Sequence, residues 1–434
     1  MADTPDRPSQ PGGLLIAGRA LRHRNYRLFF TGQGLSVIGT WMQSIAMSWL
    51  VYRLTGSAAL LGLIGFVAMS PMFFGPTFTG VFIDRCDRRR LLLATNSFAM
   101  IQATILGVLT LTGHIAVWHI FVLGFCLGFV NAFDMPTRQS FVIDMVEQKE
   151  DLTNAIALNS AMFNGARLVG PALAGLTVAA FGEGICFLIN ALSFLAIIVA
   201  LLAMRVKPRV KKAAASRPFE GFKEGYRYAF GFLPIRYCIL ILALMSLIGM
   251  QHSTLMPVFA KDILHGGPHT LGFLVSAAGV GALLSALYFA SRKSAVGLER
   301  FASSGLALFG CANAVFSLSR SVTLSLFAMV VSGAAMMIVL LTCNTIIQTV
   351  VEEDKRGRVM SFHSMAAVGV VPFGSLIAGT LAARLGAPRT VLISACCCMI
   401  GAFLFARKVP SLKAAVRPVY RALGLVKETP AATT

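Results

Sequence analysis

Long apolar runs separated by short polar stretches fill the sequence between residues 26 and 407. Most runs reach about 20 residues, the length that an α-helix needs to cross the hydrocarbon core of a bilayer. Charged residues, Pro and Gly mark the ends of the runs. Together they predict twelve membrane-spanning helices at residues 26–53, 59–83, 91–112, 117–140, 152–180, 184–204, 236–261, 270–291, 299–319, 323–350, 357–383 and 388–407. The pattern therefore predicts an all-α membrane protein.

A polar segment rich in Lys and Arg divides these helices into two sets of six. We expect a tail at 1–25, a six-helix bundle at 26–204, a linker at 205–235, a second bundle at 236–407 and a tail at 408–434. The sequence Gly-Pro-Ala-Leu-Ala-Gly at 170–175 is echoed by Gly-Ser-Leu-Ile-Ala-Gly at 374–379. This echo predicts two pseudo-symmetric halves related by an axis along the membrane normal, with a substrate site between them near the midplane.

Composition and charge narrow the class of protein further. Of the 434 residues, 56% are hydrophobic and 13% are charged, whereas a soluble domain has about 25% charged residues. The net charge is +20, but the cations lie between apolar runs and so indicate a membrane rather than nucleic acid as partner. Most cations fall on the side of the two termini, and the exceptions are Arg53, Lys261, Arg320, Arg384 and Arg389. By the positive-inside rule, we expect an integral plasma (cell inner) membrane protein with cytoplasmic termini, whose cytoplasmic face meets anionic lipid headgroups.

A charged loop follows the second predicted helix and fits the pattern G-x-x-x-D-R-x-x-R-R. Its fixed positions are Gly80, Asp84, Arg85, Arg88 and Arg89. Gly allows close approach of helices, Asp accepts hydrogen bonds at a helix end, and the Arg cluster fixes orientation and pairs with carboxylates. The loop resembles the signature loop of the major facilitator superfamily. That resemblance implies two six-helix halves that rock about a central cavity, with these five residues as a gating motif.

The fifth predicted helix contains Gly165, Gly170, Pro171 and Gly175. Pro removes a backbone donor and Gly narrows the helix, so the helix can bend and pack closely. The set resembles the Gly-Pro motif that exporters of the superfamily carry in this helix, although Gly and Pro also occur in ordinary packing. The stretches Arg24-Asn25-Tyr26-Arg27 and Asp134 to Gln139 resemble the enterobactin-exporter-like branch, which comprises transmembrane secretion effectors. The resemblance implies export.

Three ionisable residues are expected within the spans and are candidates for proton coupling or ion pairing. Asp134 and Arg138 stand four residues apart on one helix face, so they can pair with each other. Asp134 is our candidate proton carrier, and a static pair that locks the fourth helix is the alternative. Arg167 lies midway along the fifth helix, where a lone cation is costly. We expect it to pair with Asp134, to serve another structural or gating role, or to touch the substrate.

Polar side chains within spans are candidates for the cavity wall, because such groups usually face protein or water rather than lipid. Each can equally form an ordinary interhelical hydrogen bond. The candidates are Gln43, Asn131, Asn159, Gln251, His252, Asn344 and His363, with Gln33, Gln102, Asn313 and Gln348 as further members.

These features favour a secondary active transporter. The sequence contains no G-x-x-x-x-G-K-[ST] loop for a nucleotide, so we expect transport to draw on an ion gradient. We expect a proton-coupled exporter, an antiporter of small organic molecules such as a siderophore or a hydrophobic drug, that acts as a monomer without cofactor or metal. An importer or a lysolipid transporter of the same fold is the first alternative, and a non-transporting receptor or scaffold is the second. A membrane enzyme is disfavoured, because the spans lack clustered acid-base or metal-ligating residues.

Overall fold

The computed structural model describes residues 18–146, 148–205, 218–292 and 297–422. Within these ranges the side chains of residues 74–85, 149, 218–224 and 422 are not described. The described chain is helical almost throughout and forms no strand. This confirms the predicted all-α class.

The first half of the chain forms six long helices. Four of them are α1 (Arg24–Thr55), α2 (Ala58–Arg85), α3 (Arg88–Leu111) and α4 (Val117–Met145). The segment Leu152–Ala203 contains two more, because Gly182 adopts φ 81° and ψ 171°, which is not helical and reverses the chain direction. We call them α5 (152–181) and α6 (183–203). Gly tolerates this positive φ without the steric penalty of a side chain.

The second half begins with a short helix and continues with six long ones. They are α7 (Pro218–Gly231), α8 (Leu233–Ile263), α9 (Pro268–Ser291), α10 (Leu298–Leu318), α11 (Val322–Val350), α12 (Arg356–Leu385) and α13 (Ala387–Ala422). Short π-helical turns interrupt α8 at Met245–Gly249 and Phe259–Ile263, and α12 at Met365–Gly369. Such turns widen the helix locally and are frequent at functional sites.

Among the described residues, nine helices are long and apolar enough to cross a membrane, and Leu152–Ala203 counts as one of them although it holds two spans. Those nine helices thus supply ten spans. The other two long helices are α1, which carries more polar residues, and α2, whose described apolar stretch is Ala58–Phe73. The helices are thus consistent with the predicted count of twelve. Their ends fall within a few residues of the predicted ends, except that α4 extends to Met145 and α13 to Ala422.

The helices run alternately between two faces of the bundle. We call the end that holds residues 18–24 and 408–422 the terminal face, and the other end the opposite face. A turn at Arg19–Arg22 packs on the start of α5 at the terminal face, where Arg19 and His23 both contact Asp151. The segments predicted as tails therefore contain ordered structure at both ends of the described chain.

The two halves meet along two seams, α2 against α12 and α5 against α9. Glycines allow the helix backbones to approach closely there. A Cβ atom on Gly62 of α2 would lie 2.7 Å from the Cα of Gly379 of α12, and one on Gly175 of α5 would lie 2.9 Å from the Cα of His269. Both contacts lie toward the opposite face. The Phe66 and Phe73 rings extend the first seam by packing edge to face on Phe373.

Candidate translocation site

Asp134 lies buried within α4 and is surrounded by polar groups of α3. Its Oδ1 accepts hydrogen bonds from the Thr95 hydroxyl and the Asn96 amide, both at 3.0 Å. Its Oδ2 lies 3.6 Å from the Arg138 guanidinium, whose Cζ in turn stands 4.6 Å from the centre of the Phe163 ring of α5. The carboxylate is thus both hydrogen-bonded and charge-compensated, as a buried ion must be. Asp134 and Arg138 are brought together as the spacing predicts.

Arg167 does not join this pair. It lies midway along α5, partly exposed, at the boundary between the halves. Its Nη2 is 3.8 Å from the Sδ of Met336 in α11, and its Cζ is 5.9 Å from the ring centre of Trp41 in α1. Among the described side chains, no carboxylate stands within ion-pair distance of Arg167. The expected pairing with Asp134 is therefore not seen.

The Gly-Pro set of α5 packs against two different neighbours. A Cβ on Gly170 would lie 2.6 Å from the Cβ of Trp41, within the same half, whereas Gly175 and the carbonyl of Pro171 contact Gly272 of α9 in the other half. Gly165 has open space around its Cα. The segment stays α-helical through Pro171. Three of the four positions thus serve close packing in this conformation.

The loop motif is described only in part. The backbone of α2 is helical to Arg85 and includes Gly80, but the surroundings of Gly80 and the side chains of Asp84 and Arg85 are not described. Arg88 donates to the Ser140 carbonyl and pairs at 2.8 Å with Asp144 of α4.

Arg89 donates to the carbonyls of Leu201 and Leu202 at the end of α6. These carbonyls have no helical partner, so the guanidinium caps α6. Arg88 and Arg89 therefore tie α3 to α4 and α6 within the first half.

Gln43 belongs to a packed polar network rather than to an open wall. Its amide donates to the Gln102 oxygen at 2.9 Å and accepts from the Asn190 amide at 2.6 Å. The Ser193 hydroxyl donates to Asn190. All of this links α1, α3 and α6 inside the first half, with Gln43 only 1% exposed. In this conformation the Gln43 amide is fully used in packing.

The other cavity candidates are dispersed. Asn131 is half-buried in α4, and Asn344 accepts from Gln348 one turn later in α11. His252 of α8 contacts the Gly249 carbonyl through Nδ1, packs against the Phe309 ring, and is close enough to Arg167 for their charges to interact. A further group shares one property, namely a buried polar atom without a hydrogen-bond partner: Asn159 Oδ1, Gln251 Oε1 and His363 Nε2. In this conformation these atoms are both buried and unpartnered.

One polar contact joins the two halves near the opposite face, and the sequence did not predict it. The Tyr52 hydroxyl at the end of α1 donates to Asp262 of α8, and the Lys261 ammonium lies 5.5 Å from the centre of the Tyr52 ring. Nearby, Arg53 pairs with the buried Glu183 through two hydrogen bonds, the shorter at 2.6 Å. No local pattern signals a contact between residues 210 positions apart.

At the terminal face, the loop between α11 and α12 carries its own ion pair. Lys355 donates to Glu352 at 2.6 Å, and its ammonium lies 4.6 Å from the ring centre of Tyr228. The hydrogen bond to the Glu352 carboxylate raises the pKa of Lys355 above its ordinary value. The ammonium of Lys355 therefore stays protonated and paired with Glu352 at this face.

Comparison with known proteins accounts for this architecture. Residues 18–423 match the protein family that is described as transmembrane secretion effector. The staphyloferrin A transporter of Staphylococcus aureus is 25% identical over 89% of this chain and 97% of its own, and the multidrug efflux pump Tap of Mycobacterium tuberculosis is 27% identical over 82% and 87%. A crystal structure of a mutant of the nucleoside transporter NupG superposes with a TM-score of 0.69 at 15% identity, covering 91% of this chain and all of the other. The chain is thus not an enzyme: it belongs to the transmembrane secretion effector family of major facilitator transporters.

Proposed function

We propose that the chain is a proton-coupled exporter of small organic molecules that works by alternating access. The observation that carries this proposal is the buried Asp134, which faces Thr95 and Asn96 on one side and Arg138 on the other. A carboxylate held in this way can exchange its proton when the surrounding helices move apart, and the change alters its attraction for Arg138. The family description and the printed name of the efflux relative support export.

In this proposal the present conformation is closed at the opposite face, which corresponds to the outside of the cell. The Gly62–Gly379 and Gly175–Gly272 approaches and the Tyr52–Asp262 hydrogen bond favour that closure. Gly80, Asp84 and Arg85, together with Arg88 and Arg89, form the gating motif at the terminal face. Cargo enters from the terminal face, the halves rock, and protonation of Asp134 from outside helps to reset the carrier.

The site residues divide between coupling, bending and cargo contact. Asp134 and Arg138 form the coupling pair, and Gly165, Gly170, Pro171 and Gly175 let α5 adjust as the halves move. Asn159, Gln251 and His363 contribute unpaired polar atoms to the cargo path. We place the chain in the plasma (cell inner) membrane as a monomer, with cytoplasmic termini and anionic lipid headgroups against the basic terminal face. A fluorescent protein fused to the C-terminus tests the orientation, because it folds and fluoresces only in the cytoplasm.

The export experiment uses everted membrane vesicles with an imposed pH gradient. Siderophores, hydrophobic drugs and metabolites are added in turn, and collapse of the gradient reports proton exchange for cargo. We expect collapse with one cargo class, and its loss in Asp134→Asn. Glu183→Gln is the matched control, since Glu183 is also a buried carboxylate paired with an arginine but lies near the opposite face. If the pH gradient collapses equally in vesicles that carry Asp134→Asn and in vesicles that carry the unchanged protein, Asp134 is not the proton carrier.

A second candidate function keeps the fold and reverses the direction, as in an importer or a lysolipid transporter. The printed name of the staphyloferrin A relative states a cargo but no direction, which keeps this alternative open. Accumulation of labelled cargo in right-side-out vesicles, rather than in everted ones, supports it. Absence of flux in both orientations with every compound favours a receptor or scaffold.

A further inference from the structure

The guanidinium of Arg167 is a cation near the middle of the membrane whose described neighbours carry no negative charge. Its contacts are the thioether of Met336 and the face of the Trp41 ring. An uncompensated arginine at the centre of a membrane helix is costly, and such residues usually have a partner. In the described part of the chain, Arg167 has no such partner.

The carboxylate that the sequence offers as a partner for Arg167 is engaged elsewhere. Asp134 receives two hydrogen bonds from α3 and stands 3.6 Å from Arg138. His252, the titratable side chain within electrostatic range, can only add positive charge. The charge of Arg167 is therefore left for a ligand or for water to compensate.

Arg167 lies at the boundary between the halves. Trp41 belongs to α1 of the first half and Met336 to α11 of the second, and each lies about midway along its helix. The backbone of Arg167 itself approaches Gly279 of α9. Arg167 is half-buried and contacts both halves, so a molecule bound between the halves would meet it.

Two amides on α8 and α5 have side-chain oxygens without hydrogen-bond partners. Gln251, the residue before His252 in α8, is 4% exposed and its amide oxygen has no hydrogen-bond partner. Asn159, two turns from Arg167 in α5, also has an unpartnered amide oxygen. At Arg167 itself, the Trp41 ring and the Met336 thioether suit an apolar or aromatic body.

We propose that Arg167 binds a carboxylate of the cargo, and that the cargo class is therefore organic acids with an apolar or aromatic body. A planar guanidinium matches a carboxylate with two parallel hydrogen bonds, which a lysine ammonium cannot reproduce. A cationic drug is repelled at this position by the like charge. This inference deepens the proposed transport function and rests on it for the identity of the bound molecule as cargo.

The test compares an acid with its uncharged amide of the same shape. The full chain is placed in lipid nanodiscs, and 2-naphthoate and 2-naphthamide are titrated while the fluorescence of Trp41 is followed. Trp49→Phe and Trp118→Phe, introduced together, leave Trp41 as the reporter. We expect the acid to bind at least tenfold more tightly than the amide. We expect Arg167→Gln to abolish the difference and Arg167→Lys to retain part of it.

Two controls separate a ligand contact from a structural role. Arg300→Gln removes an exposed cation of the terminal face and is expected to leave both affinities unchanged. Arg167→Gln is expected to keep or raise the thermal unfolding midpoint without ligand, because it removes an uncompensated charge. A lowered midpoint, equal binding of acid and amide, an unchanged acid affinity in Arg167→Gln, or no acid binding overturns the proposal. The assay needs no gradient and no direction, so failure of proton-coupled export leaves its result unaffected.

Discussion

Two separate groups of buried polar side chains lie inside the first half. Gln43, Gln102 and Asn190 bond to one another and join three helices. Asp134 bonds to Thr95 and Asn96 and faces Arg138. The first group is neutral and its hydrogen bonds are complete within one half, whereas the second contains a charge that a proton can remove. Residue type alone does not separate them, because both place amides within apolar helices.

Breaking the neutral network is expected to lower the stability of the fold, whatever its effect on transport. Asn190→Ala leaves the Gln43 oxygen without its donor, and we expect the free energy of unfolding to fall by about 1–2 kcal/mol. Thermal unfolding in detergent measures the change. Asn344→Ala is the control, since Asn344 bonds to an exposed Gln348, and it is expected to change little. Equal midpoints for Asn190→Ala and the unchanged protein contradict the prediction.

The interaction between Asp134 and Arg138 can be measured by a double-mutant cycle. Asp134→Asn leaves Arg138 buried without its counter-charge, and we expect a loss of about 3–5 kcal/mol in unfolding free energy. Arg138→Gln added to Asp134→Asn is expected to recover most of that loss. Chemical denaturation of Asp134→Asn, Arg138→Gln and the double variant measures the coupling. Additive losses refute a direct interaction between the two side chains.

At the scale of helices, the seams between halves depend on glycines that hydropathy does not reveal. The apolar runs determine where helices lie, because about 20 apolar residues suffice to span a bilayer. They do not determine which helices pair, because a lipid-facing and a helix-facing residue are equally apolar. Gly165 and Gly175 look alike in the sequence, yet only Gly175 contacts the other half.

This difference predicts opposite outcomes for two substitutions. A Cβ on Gly272 would meet the Pro171 carbonyl and lie 3.0 Å from the Cα of Gly175, so Gly272→Ala is expected to disfavour closure of the α5–α9 seam and reduce transport several-fold. Gly165→Ala meets open space, so it is expected to reduce transport less than Gly272→Ala does and to raise stability by about 0.5–1 kcal/mol. Vesicle flux and thermal unfolding measure the two effects. Equal flux in both variants contradicts the seam argument.

For the whole molecule, the contact that the sequence missed is the one that joins the halves near the opposite face. Helix positions, family and the Asp134–Arg138 neighbourhood follow from runs, motifs and a four-residue spacing. The Tyr52–Asp262 contact and the isolation of Arg167 do not, since both depend on how two halves are placed against each other. Local spacing carries no information about that placement.

Removing the Tyr52–Asp262 contact is accordingly expected to shift the protein toward the conformation that is open at the opposite face. Tyr52→Phe removes its hydrogen bond to Asp262, and a hydrogen bond to a charged group contributes about 1.5–3 kcal/mol. We expect the population open at the opposite face to rise at least tenfold. Hydrogen–deuterium exchange of residues 258–266 measures it, with Tyr288→Phe, an exposed ring, as the control. Unchanged exchange in Tyr52→Phe means that the contact does not hold this face closed.

The glycine pairs at the seams have a consequence for how the carrier responds to small signals. Where backbones touch without long side chains between them, each seam is held by van der Waals packing over a smooth surface that has no interlocked side chains to release. When two conformations with such seams lie close in free energy, a bias of about 1.4 kcal/mol changes their ratio tenfold. One proton or one bound molecule is then sufficient to decide which side of the membrane the protein faces.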